Sequence, residues 1–168
     1  MAGNCDSVMS GTPDPGDIPC DSRQAALLLA CHLALTGRPL LPVVPGETPE
    51  QLARRLYTAP FVVLAHDSSA DPLFTYANLA AQQLFEMRWD EIVGLPSRLS
   101  AEAPAREERE RLLERVAARG FIDDYSGVRI AKSGRHFRIL HATVWNLNDS
   151  SGRRVGQAAA FADWEPCD

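Results

Sequence analysis

Phe61-Val-Val-Leu-Ala-His66, Leu73-Phe-Thr-Tyr-Ala-Asn78 and Leu79-Ala-Ala-Gln-Gln-Leu-Phe85 follow one another in the chain, and their order decides the fold. The first two stretches are rich in β-branched and aromatic residues and are separated by the turn cluster Asp67-Ser-Ser-Ala-Asp-Pro72, so they read as paired strands. The third runs on without a break as a helix that Asn78 can cap. Three more strands are predicted near the C-terminus: Phe121 to Ala131, Arg135 to Asn146 and Arg153 to Phe161. Tight turns at Lys132-Ser-Gly134 and Asn148-Asp-Ser-Ser-Gly152 join them. The expectation is an α+β fold: an antiparallel sheet of about five strands, helices inserted between strands two and three, and further helices at the N-terminus. Such a sheet has a cupped inner face, which suits holding a small molecule or a partner.

Outward from this region, residues 1–20 hold Gly, Pro, Asp and Ser with few large hydrophobes and read as a disordered tail. Asp21 or Ser22 can cap a helix that runs to about Thr36 and stops at Gly37 and Pro39. Its leucines (Leu27, Leu28, Leu29, Leu33, Leu35) lie nearly all round, so it must be buried on its own domain or against another copy. A homodimer built on this helix is therefore expected. Thr48-Pro-Glu-Gln51 carries a capping box and Pro at the first position, starting a helix to about Tyr57. Asp90 starts a short helical turn that Gly94 and Pro96 end, and Pro104 opens a charged helix that Gly120 closes. The divisions read as a tail over 1–20, N-terminal helices and linker over 21–58, and the main domain over 59–165.

With 168 residues the chain can form one domain burying roughly two-thirds of its surface. Its net charge of −5 argues against nucleic acid as a direct partner, which would need Lys and Arg to replace phosphate counterions. The arginines of Arg106 to Arg115 are interleaved with Glu and read as a solvated helix face. The four cysteines form no CxxC pair, so neither a metal site nor a redox pair is expected, and a reducing cytoplasm is the simpler reading. The apolar run Ala25 to Leu35 is too short to span a bilayer, and the acidic residues before it do not make a signal peptide.

No phosphate-cradling glycine loop, HExxH or GxSxG motif is present, and no catalytic residue is assigned. His66, His136 and His141 sit on predicted strands and read as structural. Asp123 and Asp124 alternate in direction and cannot act as a dyad. By strand alternation, Phe121, Asp123, Tyr125, Gly127 and Arg129 share one face, as do Phe137, Ile139, His141, Thr143 and Trp145. If both sets face the helices, the pocket candidates are Tyr125, Arg129, Ile139, His141 and Thr143. A buried Arg129 needs a partner: an internal carboxylate or a small anionic ligand, unless the faces are reversed and it meets solvent. Two functions fit the cup: a sensory or association module taking a small anionic or aromatic ligand or a signalling protein, and a small enzyme or enzyme accessory using the cup as active site.

The same residues resemble known families. Phe74-Thr-Tyr-Ala-Asn-Leu-Ala-Ala-Gln-Gln-Leu-Phe85 is similar to the second strand and first helix of PAS domains, and Lys132-Ser-Gly-Arg-His-Phe137 to their hairpin. The closer resemblance is to the PAS-like MEKHLA domain, in its stand-alone bacterial form. It is carried by Leu95-Pro-Ser-Arg-Leu-Ser-Ala-Glu102, Arg106-Glu-Glu-Arg109, Gly120-Phe-Ile-Asp-Asp-Tyr-Ser-Gly-Val-Arg-Ile130, Phe137-Arg-Ile139 and Val144-Trp-Asn146, over about residues 22–162. It implies regulation. In plant class III homeodomain–leucine zipper transcription factors this domain is thought to sense a signal and control dimerisation. The PAS resemblance also bears on cofactors. Light-sensing LOV domains form a flavin adduct on a helical Cys, and Leu79 to Arg119 contains none. Aligned on the hairpin turns, Arg129 and Ile139 fall at the two Asn positions that hold the flavin ring and Ala158 at the Gln position. Haem-binding PAS domains use a His before the third strand, and none lies between His66 and His136. Flavin and haem are therefore not expected, and the resemblance names no other cofactor.

Overall fold

Side-chain caps fix where the helices begin. In this computed structural model, which describes residues 18–19 and 21–168, helix α1 spans Ser22–Thr36. The Asp21 carboxylate accepts from the Gln24 N–H at 2.7 Å, and Gly37 closes the helix at φ 74°. Helix α2 (Pro49–Tyr57) starts with the reciprocal Thr48–Gln51 capping box. The tail read as disordered lies outside the described residues except for Ile18 and Pro19.

Strands β1 (Val62–Asp67) and β2 (Phe74–Ala77) form the first hairpin. The Asp67 carboxylate holds its turn by accepting from the Ser69 and Leu73 N–H groups at 3.2 and 3.0 Å. Helix α3 (Leu79–Phe85), the short α4 (Trp89–Ile92), a 3-10 turn (Ser97–Ser100) and α5 (Ala103–Arg119) come next. Then β3 (Phe121–Ile130), β4 (His136–Asn148) and β5 (Arg154–Phe161) return as two hairpins. The sheet order is β2-β1-β5-β4-β3. A further strand, β6 (Asp163–Pro166), pairs with the first half of β4 through Phe137–Leu140. Its four residues, exposed and ending in proline, carry no alternation that would mark them as a strand.

Helices cover both faces of this sheet, so there are two cores. Under α1 and α2, Val63, Ala65, Tyr76, Trp145, Leu147 and Ala158 pack with Ala25, Leu28 and Leu56. Trp145 is fully buried there: its indole N–H donates to the Leu28 carbonyl at 3.2 Å, and His32 meets its ring edge-on at 4.8 Å. The opposite core joins Leu64, Phe74, Ile122, Tyr125, Phe137, Ile139, Val144 and Phe161 to Leu84, Phe85, Leu112 and Val116 of α3 and α5. Packing on the sheet hides only part of the apolar surface of α1, and Leu33 stays 49% exposed.

Two places couple the layers through the backbone. Asn78, with no exposed surface, caps α3 by accepting from Ala81 N–H, accepts also from Val63 N–H, and donates to the Leu56 and Phe61 carbonyls. Gly156 sits against β1 so closely that a Cβ would collide with the His66 carbonyl oxygen. Any side chain there would separate β1 from β5 beside the cup.

Candidate functional site

The concave face carries a cavity of about 70 Å³, counted as the space open to the centre of a water-sized sphere. That is room for about five waters. Apolar side chains dominate its wall, among them Phe74, Phe85, Leu112, Ile139, Val144 and Phe161. Five polar side chains stand among them: His66 on β1, Arg109 on α5, Tyr125 and Arg129 on β3, and Gln157 on β5. Ser97 and Ser100 of the 3-10 turn complete the rim.

Of the residues expected at the pocket, Tyr125, Arg129 and Ile139 line this cavity, whereas His141 and Thr143 do not. The reason is a bulge. His141 takes a left-handed conformation at φ 51°, which slips the alternation of β4 by one residue. Phe137 and Ile139 face the cup before it, and Ala142 and Val144 face the cup after it. His141 is left exposed, and the face of Thr143 and Trp145 turns toward α1. A matching irregularity on β3 between Ile122 and Tyr125 separates Phe121 from Tyr125 and leaves Asp123 and Asp124 exposed. The turn count that puts Ala158 at the inward amide position is also off by one. Register slips between Leu147 and Asn148, and Gln157 is the side chain over the cup.

Arg109, His66 and Gln157 were not expected there. Arg109 lies on the helix read as a solvated face, yet it is only 6% exposed. The signal was available: Leu112, Leu113 and Val116 follow it at three, four and seven residues, the spacing of one apolar helix face. Elsewhere on α5 the charged pairing reads as expected, with Arg111 and Glu107 forming an exposed ion pair at 3.8 Å.

Two buried guanidiniums therefore meet one cavity. Arg129, 8% exposed, donates to the Val128 carbonyl at 2.9 Å and stacks 5.4 Å from the Tyr125 ring centroid. Tyr125 in turn folds across Gly127, where a Cβ would collide with its hydroxyl. Arg109 donates to the Ser97 hydroxyl. Among the described residues no carboxylate pairs with either. Asp71, whose charge acts on Arg109 from a distance, is engaged by Arg98 at 3.1 Å. Burial, and then repulsion from Arg129, pushes Arg109 down to about 10. Both guanidiniums are buried, and Glu110 and Asp71 act on Arg109 only through space, without an ion-pair contact.

The acceptors of the cup are equally unsatisfied. The His66 Nδ1–H donates to the Asp67 carbonyl at 2.7 Å, which makes Nε2 the acceptor nitrogen of a neutral ring. Burial drives the His66 pKa down to about 4. Gln157 spends its amide N–H groups on Leu113 carbonyl and Asn146 Oδ1, both at 3.1 Å. His66 Nε2 and Gln157 Oε1 are buried and lack partners among the described residues. Ser100 donates to the Ser97 carbonyl at 2.7 Å and Ser97 Oγ accepts from Arg109, so neither hydroxyl is paired with His66 as a nucleophile would be.

The residues do not fit a flavin. Cys31 is on α1, across the sheet from the cup, and Cys167 lies beyond β6, Arg129 and Ile139 stand where ring-holding amides would be, and the space is far below a three-ring system. No group of His, Cys, Asp and Glu among the described residues is placed to hold a metal ion. Nor is any described helix long and apolar enough to cross a membrane.

Comparison with solved structures gives the same fold. An RNA-binding light-oxygen-voltage receptor superposes with a TM-score of 0.61 at 22% identity over 73% of this chain, which spans 36% of the receptor's length. The PAS domain of a protein from Colwellia psychrerythraea gives 0.56 at 14% identity, covering 66% of this chain and 92% of that one. A light-oxygen-voltage domain studied with a flavin analogue gives 0.52 at 20% identity, over 70% and 84%. No curated protein sequence matches. The fold is thus PAS-like. The MEKHLA domain matches residues 22–166, nearly the whole chain, and the protein belongs to the MEKHLA family.

Proposed function

We propose that this protein is a PAS-like sensory module whose cup binds a small anionic molecule and which signals by changing its association with another copy or a signalling protein. The observation that carries the reading is the pair Arg109 and Arg129, buried at one cavity without a carboxylate among the described residues. Charges buried in this way are costly unless paired, and an anion between two guanidinium forks supplies the pairing.

Thermal melts across a panel of small carboxylates and inorganic phosphate test this. A ligand at a hundred times its Kd adds about 2.7 kcal/mol, which raises the Tm of a chain this size by roughly 5–10 °C. Arg129→Ala and Arg109→Ala should each abolish that shift while melting no lower than wild type without ligand, because removing one of two like charges relieves repulsion. If instead Arg129→Ala costs about 3–5 kcal/mol with or without ligand, an internal charge partner exists and the reading falls.

Association is assigned to the uncovered flank of α1. Leu33 is the exposed member of an otherwise embedded set of leucines. Leu33→Glu should shift the protein to a monomer on sizing and light scattering while its circular dichroism stays that of the folded chain. A wild type that is already monomeric at high micromolar concentration would remove this flank from consideration.

A further inference from the structure

The cup brings unspent donors and unspent acceptors to one cavity. Its donors are Arg109 on α5, which lies across the sheet, and Arg129 and the Tyr125 hydroxyl on the edge strand β3. Its two partnerless acceptors, His66 Nε2 and Gln157 Oε1, come from β1 and β5. Arg129 on β3 and His66 on β1 stand three strand spacings apart, about 14 Å between backbones, while Gln157 meets α5 through the Leu113 carbonyl, one turn from Arg109. The rest of the wall is aliphatic and aromatic, with Phe74, Phe85, Ile139 and Phe161 in it.

We infer that the ligand is a compact single-ring carboxylic acid that also carries a hydroxyl or N–H donor opposite its carboxylate. The assignment rests on the anion-binding reading and narrows it. A carboxylate takes the guanidinium forks bidentately. The ring fills the apolar middle. The donor group satisfies His66 and Gln157, each of which is held in the accepting state: His66 because its Nδ1–H is spent on Asp67 carbonyl, and Gln157 because its amide hydrogens are spent on Leu113 and Asn146. Inorganic phosphate carries P–OH donors but is too short to reach from Arg129 to His66, and it leaves the ring space empty. Room for about five waters matches one substituted ring and no more.

Calorimetric titration of the full chain with 4-hydroxybenzoate, benzoate, phenol and inorganic phosphate separates the possibilities. A site whose buried acceptors await a donor rejects the analogue that lacks it, so 4-hydroxybenzoate should bind at least about tenfold more tightly than benzoate, and phenol more weakly than either. His66→Phe, checked for folding by circular dichroism, should shrink the preference for 4-hydroxybenzoate over benzoate to about threefold or less. If that variant does not fold, the wild-type ratio alone decides. Equal affinity for benzoate and 4-hydroxybenzoate overturns the donor assignment and leaves the anion site standing. Binding of phosphate alone does the same. If phenol binds as well as 4-hydroxybenzoate, or none of the four binds, the anion site falls with it.

Discussion

Asn78→Ala will destabilise the protein by about 4 kcal/mol or more, close to unfolding a domain of ordinary stability. The side chain is completely buried and makes four hydrogen bonds to backbone: from Val63 N–H at 3.0 Å and Ala81 N–H at 3.1 Å, and to the carbonyls of Leu56 at 3.2 Å and Phe61 at 2.8 Å. Losing a helix cap alone costs about 0.5–2 kcal/mol. Here the other three groups also lose their partner in a dry site, each at about 1–3 kcal/mol before relaxation. At this chain length the loss should appear as a fall in Tm of roughly 10 °C or more. Asn78→Asp sharpens the test. It keeps the acceptor that serves both N–H groups but turns a second oxygen toward two carbonyls, so it should be nearly as damaging at neutral pH. Urea unfolding of the three proteins gives the numbers. A loss below about 1 kcal/mol for Asn78→Ala would mean that α2, β1 and α3 are held together by packing alone.

Acidification from pH 6.5 towards 4 will remove about 3 kcal/mol of stability through His66. Its pKa is 6.5 in the unfolded chain and about 4 when folded. Between those values the unfolded state holds the extra proton, so stability is fully present above pH 6.5 and falls as pH drops to about 4. The cause is burial of the ring, with Nε2 shielded and Nδ1 committed to Asp67. His32, also buried, has its pKa lowered and adds in the same direction. The hydrogen-bonded carboxylates Asp67, Glu86, Glu91 and Asp149 also titrate below their ordinary values, and their contribution disappears only at lower pH. Denaturation midpoints from pH 7.5 to 4.5 for wild type and His66→Gln isolate the effect: the variant's profile should be markedly flatter. Parallel profiles would show that His66 titrates as a solvated ring and that the cup is open to water.

Much of the fold is local enough to read from the chain. Asp21, Thr48 and Asn78 each bond an N–H three residues on, so the helix starts are visible without any tertiary information. The hairpins at Lys132–Gly134 and Asp149–Gly152 follow from glycines that take positive φ and from the Asp149 carboxylate accepting from Ser151 and Arg153. Resemblance at the level of family and PAS-like fold was carried by stretches such as Phe121-Ile-Asp-Asp-Tyr-Ser-Gly127, and the match over residues 22–166 agrees.

The site was legible only in part. Strand alternation placed Tyr125, Arg129 and Ile139 together, and they do line one cavity. It misplaced His141 and Thr143 because one left-handed residue reverses every side chain beyond it, and nothing in His-Ala-Thr marks that residue in advance. The period of α5 placed Arg109 on an apolar face, but its charge argued for solvent, and only the sheet beneath shows that the period wins.

What the sequence determined by itself is the order and kind of the elements, the caps and turns that bound them, and the family. These are short-range matters of backbone conformation and hydrogen bonds within a few residues. Tertiary structure alone decided that α5 lays one arginine beside another from β3, that no carboxylate among the described residues comes with them, and that His66 and Gln157 face them with unpaired acceptors. Burial and electrostatic neighbourhood are sums over groups far apart in the chain, so no local pattern contains them.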